Sequence, residues 1–431
     1  MGFVNMVIKK ELSHDKRKLL GNTLAYSIIH YANYLLPLAI IPLLVRALGP
    51  EKFGLLGLAQ ALMTYLEIIV DFGLSITAPK EVALYRDDRN KLNTIFNSIL
   101  FSKVLLAVIA FLVLSIVLFA VTKFRINFSI FLIMFGIVIA KCLSPAWFYQ
   151  GLEKVQLYLF ITMFFRILYA VSIFIIIKYP EDYLIAAGLQ VSCLIIGETI
   201  ALCIAIRSHS LRFVIPSWQD IKYVNQNGWH LFMSRITLAL YTSGNTVILG
   251  FYTSELITGY YVAAERVIRA IENMIQPVIN ALYPYIVRNK NIKFMVKVIV
   301  MSVLISSFGT IGLIYSSDLI IMKLFGSAYF ESIDILKIMS LELAIAIPSA
   351  LLGVTYLVAF GKTRMFSFSN IFGVSFYFVS LLFIIPNISI TKVIIISILS
   401  HLIVLLIRSF GAIQIYSEAK RCSVNGEKGV K

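Results

Sequence analysis

Charge is scarce in this chain. Asp, Glu, Lys and Arg together make up 14% of its 431 residues, against roughly 25% in a soluble globular domain. That shortage excludes a soluble enzyme with an ordinary hydrated surface. Cysteine is scarcer still: Cys142, Cys193 and Cys203 fall in apolar segments and Cys422 in the polar tail. Their placement excludes a disulfide framework and any metal-ligand spacing. A nucleophile elbow, a P-loop, a metal-binding cluster and a Gly-rich phosphate loop are all missing. No cofactor and no catalytic group are therefore expected, and without a nucleotide site the energy for work must come from an ion gradient or from consumption of a product. The first 21 residues are polar and basic, with no small-residue cleavage site after an apolar core, so no signal peptide is expected.

What is present is apolar. Hydrophobic residues make up 59% of the chain, and the mean hydropathy is +0.89. About twelve apolar segments are legible, roughly 22–45, 54–78, 98–121, 128–150, 158–178, 183–206, 229–251, 259–283, 295–316, 333–360, 366–385 and 391–416. Each is about long enough to cross a bilayer as a helix. The expected fold is an all-α integral membrane protein. Pro37, Pro42, Pro145, Pro277 and Pro348 fall inside spans, where each marks a candidate kink.

Lys and Arg are distributed unevenly across the expected loops. With the N-terminus inside, 23 of the 38 fall on the cytoplasmic side, 7 on the opposite side and 8 within spans. The positive-inside rule then places both termini in the cytoplasm. The same bias accounts for most of the formal charge of +16, so no nucleic-acid partner is expected. The segment 79–97 reads as an interfacial helix on the cytoplasmic leaflet.

The longest internal connection, 207–228, divides the chain into an N-tail (1–21), a first six-helix half (22–206), a linker (207–228), a second half (229–416) and a C-tail (417–431). One ungapped offset of 205 residues superposes Asn22 on Asn227, Gly54 on Gly259, Glu67 on Glu272, Pro79 on Pro284 and Ser144 on Ser349. Six spans per half make the repeat parallel, with a pseudo-two-fold axis along the membrane normal and a central cavity between two bundles.

Several motifs identify a resemblance. Leu48-Gly49-Pro50-Glu51-Lys52-Phe53-Gly54 follows the first span, and Asp71-Phe72-Gly73-Leu74 closes the second. Lys80-Glu81-Val82-Ala83 and Arg86-Asp87-Asp88 come next, and Pro145 to Glu153 (PAWFYQGLE) ends the fourth. Together they resemble the polysaccharide-transporter branch of the multidrug/oligosaccharidyl-lipid/polysaccharide exporter superfamily, and within it the Wzx-type O-antigen flippases. Looser echoes are Asn245 to Gly250 and Gly259-Tyr260-Tyr261 in the second half. The resemblance implies a multi-pass protein of the bacterial inner membrane that moves an undecaprenyl-diphosphate-linked sugar repeat unit to the periplasmic leaflet. Its implied partners are that lipid-linked oligosaccharide, membrane lipids, and the O-antigen polymerase and chain-length regulator of the same pathway.

Intramembrane charges are the candidate functional groups, because they are costly and face a protein interior or a cavity. Glu265, Arg269, Glu272 and Gln276 share one helical face, bordered by Arg266 and Asn273. The face reads as a cavity lining or as an internally neutralised Glu265–Arg269 pair. Glu67 and Asp71 lie one turn apart and repel when both are ionised, which suits an ion-coupling site unless each pairs with Arg166, Lys141 or Arg235. Glu272 and Glu265 are the other coupling candidates. A diphosphate needs concentrated positive charge, and guanidinium binds phosphate oxygens with two parallel hydrogen bonds. Arg269, Arg166, Arg235, Lys141 and Arg266 are the candidate contacts. Lys103, Lys337 and Arg408 are expected to snorkel from near span ends. Tyr149, Tyr241 and Tyr260 belong either to a glycan path or to an interfacial belt, and His30 and His401 read as packed histidines. Two other functions remain open: a small-molecule exporter of the same superfamily, and a membrane-embedded polymerase or acyltransferase, which would call for a large periplasmic loop.

Overall fold

The computed structural model describes residues 39–226 and 228–428, without the side chains of 238, 241, 242 and 419–428. Among the described residues it is helical, with no strand. The first half holds α1 (39–71), α2 (Leu74–Leu84), α3 (Arg89–Ala120), α4 (Thr122–Ile126), α5 (Phe128–Leu143), α6 (Ala146–Gly151), α7 (Val155–Ile176) and α8 (Tyr183–Ser208). α9 (Trp218–Gln226) lies between the halves. The second half holds α10 (Trp229–Thr242), α11 (Gly244–Tyr252), α12 (Glu255–Asn273), α13 (Gln276–Asn289), α14 (Ile292–Leu324), α15 (Ser332–Ala350), α16 (Thr363–Ile384) and α17 (Ile390–Lys428).

Among the described residues, nine stretches are long and apolar enough to cross a membrane. One of them, Ala39–Leu84, contains the expected second span and the end of the first. α10 with α11, and α12 with α13, supply the other two positions, so about twelve spans are accounted for. The expected first span and His30 lie mostly or wholly outside the described residues.

α1 is a hairpin. Gly49 has φ +66°, a left-handed conformation that ends a helix, and Pro50 opens the next one with its fixed φ and missing N–H. Ile40, Ile41 and Leu44 consequently line the same cavity as Gln60 and Thr64. In a straight helix Ile40 and Thr64 would be about 36 Å apart. The expected loop at 46–53 is thus a turn of two residues.

Capping residues fix where the long helices begin. The Asp88 carboxylate accepts the Asn90 and Lys91 N–H groups at the start of α3, and Asn291 accepts the Phe294 N–H at the start of α14, satisfying donors the helix cannot. These caps correct the expected interfacial helix at 79–97: Asp88 divides that segment between the end of α2 and the first turns of α3.

The two halves repeat one packing scheme. In the first, α5 and α7 pack on α8 and α3 packs on α5; in the second, α15 and α16 pack on α17 and α14 packs on α15. Each half interrupts its second membrane helix by a two-residue turn, at 72–73 and at 274–275. In the second half Pro277 forces the interruption, since it cannot donate to the preceding turn.

Equivalent residues meet across the axis. A Cβ on Gly54 would lie 2.1 Å from the Glu255 carbonyl oxygen, and one on Gly259 would lie 1.8 Å from the Pro50 carbonyl oxygen. Pro50 and Glu255, like Gly54 and Gly259, are 205 residues apart, so the contact is self-complementary, as two-fold symmetry requires. Gly57 faces Val262, again its own equivalent. Farther toward this end the Tyr329 hydroxyl donates to the Val45 carbonyl (3.1 Å) and the Lys123 ammonium to the Gly250 carbonyl (2.8 Å), and Val45 and Gly250 are equivalent too. Arg46 adds a cation at the end of α14, donating to the carbonyls of Leu324 (3.0 Å) and Lys323, where a positive charge complements the helix dipole. Burial pushes the Lys123 ammonium below its ordinary pKa, with Glu255 at 3.6 Å pulling the other way.

Candidate functional site

Two cavities flank this crossing. One, of about 420 Å³, lies in the first half among α1, α5, α7 and α8. The other, of about 640 Å³, lies in the second half among α11, α12, α15, α16 and α17 and reaches α1. They share Gly57, Gln60, Thr64 and Arg266 in their walls. Arg266 therefore stands at the junction, donating to the Gln60 side-chain oxygen at 2.5 Å.

Glu265, Arg269, Glu272 and Gln276 all line the larger cavity, as their helical spacing predicts. The pairing alternative holds as well. Arg269 sits between Glu265 (3.5 Å) and Glu272 (2.8 Å), and Glu265 also accepts the Thr246 hydroxyl at 2.6 Å. Glu67 and Arg166 line the smaller cavity, with Glu198 and Gln190. Six of the nine candidates are thus in the two cavities.

Asp71, Lys141 and Arg235 gather elsewhere. The Asp71 carboxylate, 2% exposed, is 3.4 Å from the Lys141 ammonium and 2.5 Å from the Arg235 guanidinium, and it accepts the Ser75 hydroxyl at 2.8 Å. This group ties α1 to α5 and, across the halves, to α10. The shared carboxylate gives each of two cations a counter-charge, which lowers the cost of holding them in a membrane.

Three expectations need correction. Lys103 does not snorkel: it is 2% exposed and donates to the carbonyls of Ser144 (3.0 Å) and Lys141 (3.4 Å), at the end of α5. α3 begins nine residues earlier than expected, so Lys103 is at mid-helix. Arg408 is also buried, because α17 runs on to Lys428. It donates to the Ser349 carbonyl (2.7 Å), the hydroxyls of Ser349 and Ser369, and the Asn370 side-chain oxygen (2.6 Å). Tyr149 belongs neither to a glycan path nor to a belt: it is 1% exposed and donates to the Ala201 carbonyl at 2.8 Å. Lys337, by contrast, is partly exposed and held by Asp318 at 2.9 Å. Tyr260 is half-buried beside the Tyr329 ring, and the Tyr241 side chain lies outside the described residues.

Sequence reasoning missed one pair. His401 lines the larger cavity, and its Nδ1 lies 3.2 Å from the Glu342 carboxylate. The partners are 59 residues apart, so no local spacing signals them. Among the described residues no group of three or more His, Cys, Asp and Glu side chains is placed to hold a metal ion.

Comparison with known proteins agrees with this architecture. The family model described as "Polysaccharide biosynthesis protein" matches residues 19–290. A protein of Escherichia coli (strain K12) named "Putative O-antigen transporter" is 28% identical over 335 residues, covering 76% of this chain and 81% of the relative. One of the same name from Shigella dysenteriae is 24% identical over 355 residues, covering 82% and 89%. Among solved structures, the lipid II flippase MurJ in an inward closed conformation superposes with TM-score 0.70 at 15% identity, covering 89% of this chain and 86% of that one. An inward-facing multidrug resistance MATE transporter superposes with TM-score 0.68 at 13% identity, covering 90% and 96%. These two likenesses concern the fold. With the matched region spanning well over half its length, the chain belongs to the polysaccharide biosynthesis protein family, a multi-pass membrane protein with the fold of the multidrug/oligosaccharidyl-lipid/polysaccharide exporter superfamily.

Proposed function

We propose that this chain flips undecaprenyl-diphosphate-linked polysaccharide repeat units from the cytoplasmic to the periplasmic leaflet of the bacterial inner membrane, with both termini cytoplasmic. The observation that carries the reading is the pair of cavities, each lined by charged and amide side chains among apolar ones, that meet at Arg266 between the two halves. Arg166 and Arg269 stand on either side of that junction. Three guanidinium groups around one axial opening suit a diphosphate, whose oxygens accept pairs of parallel hydrogen bonds. Amide side chains of Gln60, Gln190, Asn273 and Gln276 offer donors and acceptors to sugar hydroxyls.

Transport proceeds by rocking of the two halves about the Gly54–Gly259 crossing, so that the cavities open to one face at a time. The Asp71–Lys141–Arg235 group stands at the opposite end of the same interface. It acts as a tether between halves rather than as a substrate contact. Ion coupling uses the carboxylates that line the cavities, with Glu67 the first candidate in the smaller one.

The test is reconstitution into liposomes with defined lipid-linked sugars, following the movement of each between leaflets. Movement of lipid-linked glycans supports the reading. Movement of small organic cations without any flipping would instead favour a small-molecule exporter, and polymerisation or acylation of the glycan would identify an enzyme.

A further inference from the structure

The connection between the two halves is unusual for a loop in water. Phe213 is 73% exposed, Ile215 77% and Trp218 71%, with Val214 and Tyr223 about half exposed. None of them lies in a stretch able to cross the membrane. A cluster of exposed apolar side chains marks an interaction surface.

Its height relative to the bilayer is set by α3. The Arg212 N–H donates to the Asn93 side-chain oxygen (2.8 Å), and the Asn97 amide donates to the Arg212 carbonyl (2.9 Å). The Ser102 hydroxyl donates to the Asn225 side-chain oxygen at 2.8 Å, and the Phe101 and Phe213 rings pack at 5.5 Å. α3 has 32 residues, about 48 Å of helix, whereas the hydrocarbon core is about 30 Å thick. Residues 101–120 are almost wholly apolar and fill that core, while 89–100 carry Arg, Lys, Asn, Thr and Ser. The contacts to the connection fall at residues 93 to 102, where the apolar part begins. The connection is therefore held at the boundary between hydrocarbon and headgroups.

α9 faces two ways. Ile221 and Val224 are buried toward the bundle, while Trp218, Lys222 and Tyr223 point outward. Aromatic residues beside a lysine are the composition that suits a bilayer interface. Arg207, Arg212 and Lys222 are exposed along the segment. Its acid, Asp220, is turned onto Ser217, accepting the backbone N–H and the hydroxyl at 3.2 and 2.6 Å. The segment thus presents apolar side chains and net positive charge together.

We infer that residues 207–226 form an amphipathic anchor seated in the leaflet on this side, which takes anionic phospholipid headgroups at Arg207, Arg212 and Lys222. The occupant is an anionic lipid surface. It fits because the apolar side chains continue the lipid-facing surface of α3 and the cations complement the phosphates above it. The inference requires that the chain span the membrane and does not depend on what it transports. That the leaflet is the cytoplasmic one follows from the distribution of Lys and Arg.

The experiment uses the full chain in vesicles of phosphatidylcholine, with or without phosphatidylglycerol. The Trp218 emission is taken as the difference between the parent and Trp218→Phe, a change at an exposed side chain. Phosphatidylcholine brominated near the glycerol end of its acyl chains should quench that emission, and aqueous acrylamide should barely affect it. Co-purified phosphatidylglycerol is then measured against the Arg207→Gln/Arg212→Gln/Lys222→Gln variant. Local enrichment of phosphatidylglycerol should fall about fivefold for each cation removed, while inorganic phosphate added to the parent should displace little of it. Strong acrylamide quenching without bromolipid quenching would overturn the seating in the leaflet. Bromolipid quenching with equal phosphatidylglycerol in parent and variant would overturn the headgroup assignment.

Discussion

Adding a single methyl group at Gly259 should move the whole transporter. The new Cβ would sit 1.8 Å from the Pro50 carbonyl oxygen and 2.6 Å from its carbon. Both are backbone atoms, so no side chain can rotate out of the way. Ordinary contact begins at 3.4 Å, which requires α12 and the second arm of α1 to separate by about 1.6 Å at their crossing. Overpacking of this kind costs about 1–3 kcal/mol. The cost falls on the conformation in which the halves meet at this end and is absent once they part, so Gly259→Ala should shift the two populations by about 5- to 150-fold. The readout is a cysteine at Ser243, in the wall of the larger cavity, in a chain whose Cys142, Cys193, Cys203 and Cys422 have been replaced. A membrane-impermeant maleimide should label it faster from the side of α4 and α11 in Gly259→Ala than in the parent, and glycan flipping should slow. Gly54→Ala, with its Cβ 2.1 Å from the Glu255 carbonyl, should do the same. Unchanged labelling in both variants would refute the tight crossing, and a response in only one would refute its symmetry.

Arg269→Ala should abolish or sharply reduce glycan export without loss of the protein from the membrane, and Arg269→Lys should restore only part of it, because an ammonium lacks the fork; full export by Arg269→Ala would remove Arg269 from the substrate path. Glu67→Gln should fold normally yet flip at a rate independent of an imposed pH gradient in proteoliposomes, whereas a parent-like response would make Glu67 structural. Arg408→Met should lose about 3 kcal/mol, since it leaves buried acceptors at Ser349 and Asn370 without their charged donor; thermal unfolding in detergent measures this, and an unchanged midpoint would mean that water replaces the guanidinium.

The fold was legible because membrane helices announce themselves by length and hydropathy, and because glycines and prolines at a fixed offset mark the repeat. Gly54, Gly259, Pro79 and Pro284 carried that signal, and Gly54 and Gly259 turn out to meet at the axis. The cavity face of α12 was legible for the same local reason: spacings of four and three residues put Glu265, Arg269 and Glu272 on one side, and Gln276 joins them from the first turn of α13. What failed was the direction in which two cations turn. Lys103 and Arg408 were assigned to snorkel because polar residues such as Asn93 and Asn97, or Ser417 and Glu418, look like the limits of a span. In the structure these residues continue the helix, and each cation turns inward onto acceptors of neighbouring helices, Ser144 and Lys141 for Lys103 and Ser349 and Asn370 for Arg408. Partners far apart in sequence were also invisible. Nothing near His401 points to Glu342, and nothing near Asp71 selects Arg235 over Arg166.

The two ends of the interface between halves differ in chemistry, and the difference bears on how the halves exchange positions. At one end, helices from the two halves touch through glycine backbones, with Tyr329, Lys123 and Arg46 donating to carbonyls that end helices. These hydrogen bonds are short-ranged, so a separation of 2 Å eliminates them and leaves only the partly exposed Lys123–Glu255 ion pair (3.6 Å) across this end. At the other end Asp71, buried in the first half, holds Arg235 of the second and Lys141 of its own half. Coulomb attraction falls only as the inverse of distance, and Lys141 remains with Asp71 if Arg235 withdraws. The carboxylate therefore keeps a counter-charge in either conformation, which avoids the penalty of an unpaired ion in the membrane. Asp71→Asn removes that safeguard and leaves Lys141 and Arg235 facing one another without a carboxylate. The halves should then part more readily at this end. A cysteine at Ser243 should be labelled faster from the side of the linker, the reverse of the Gly259→Ala result. Slower labelling from that side would mean that the Asp71 group props this end open instead of holding it together.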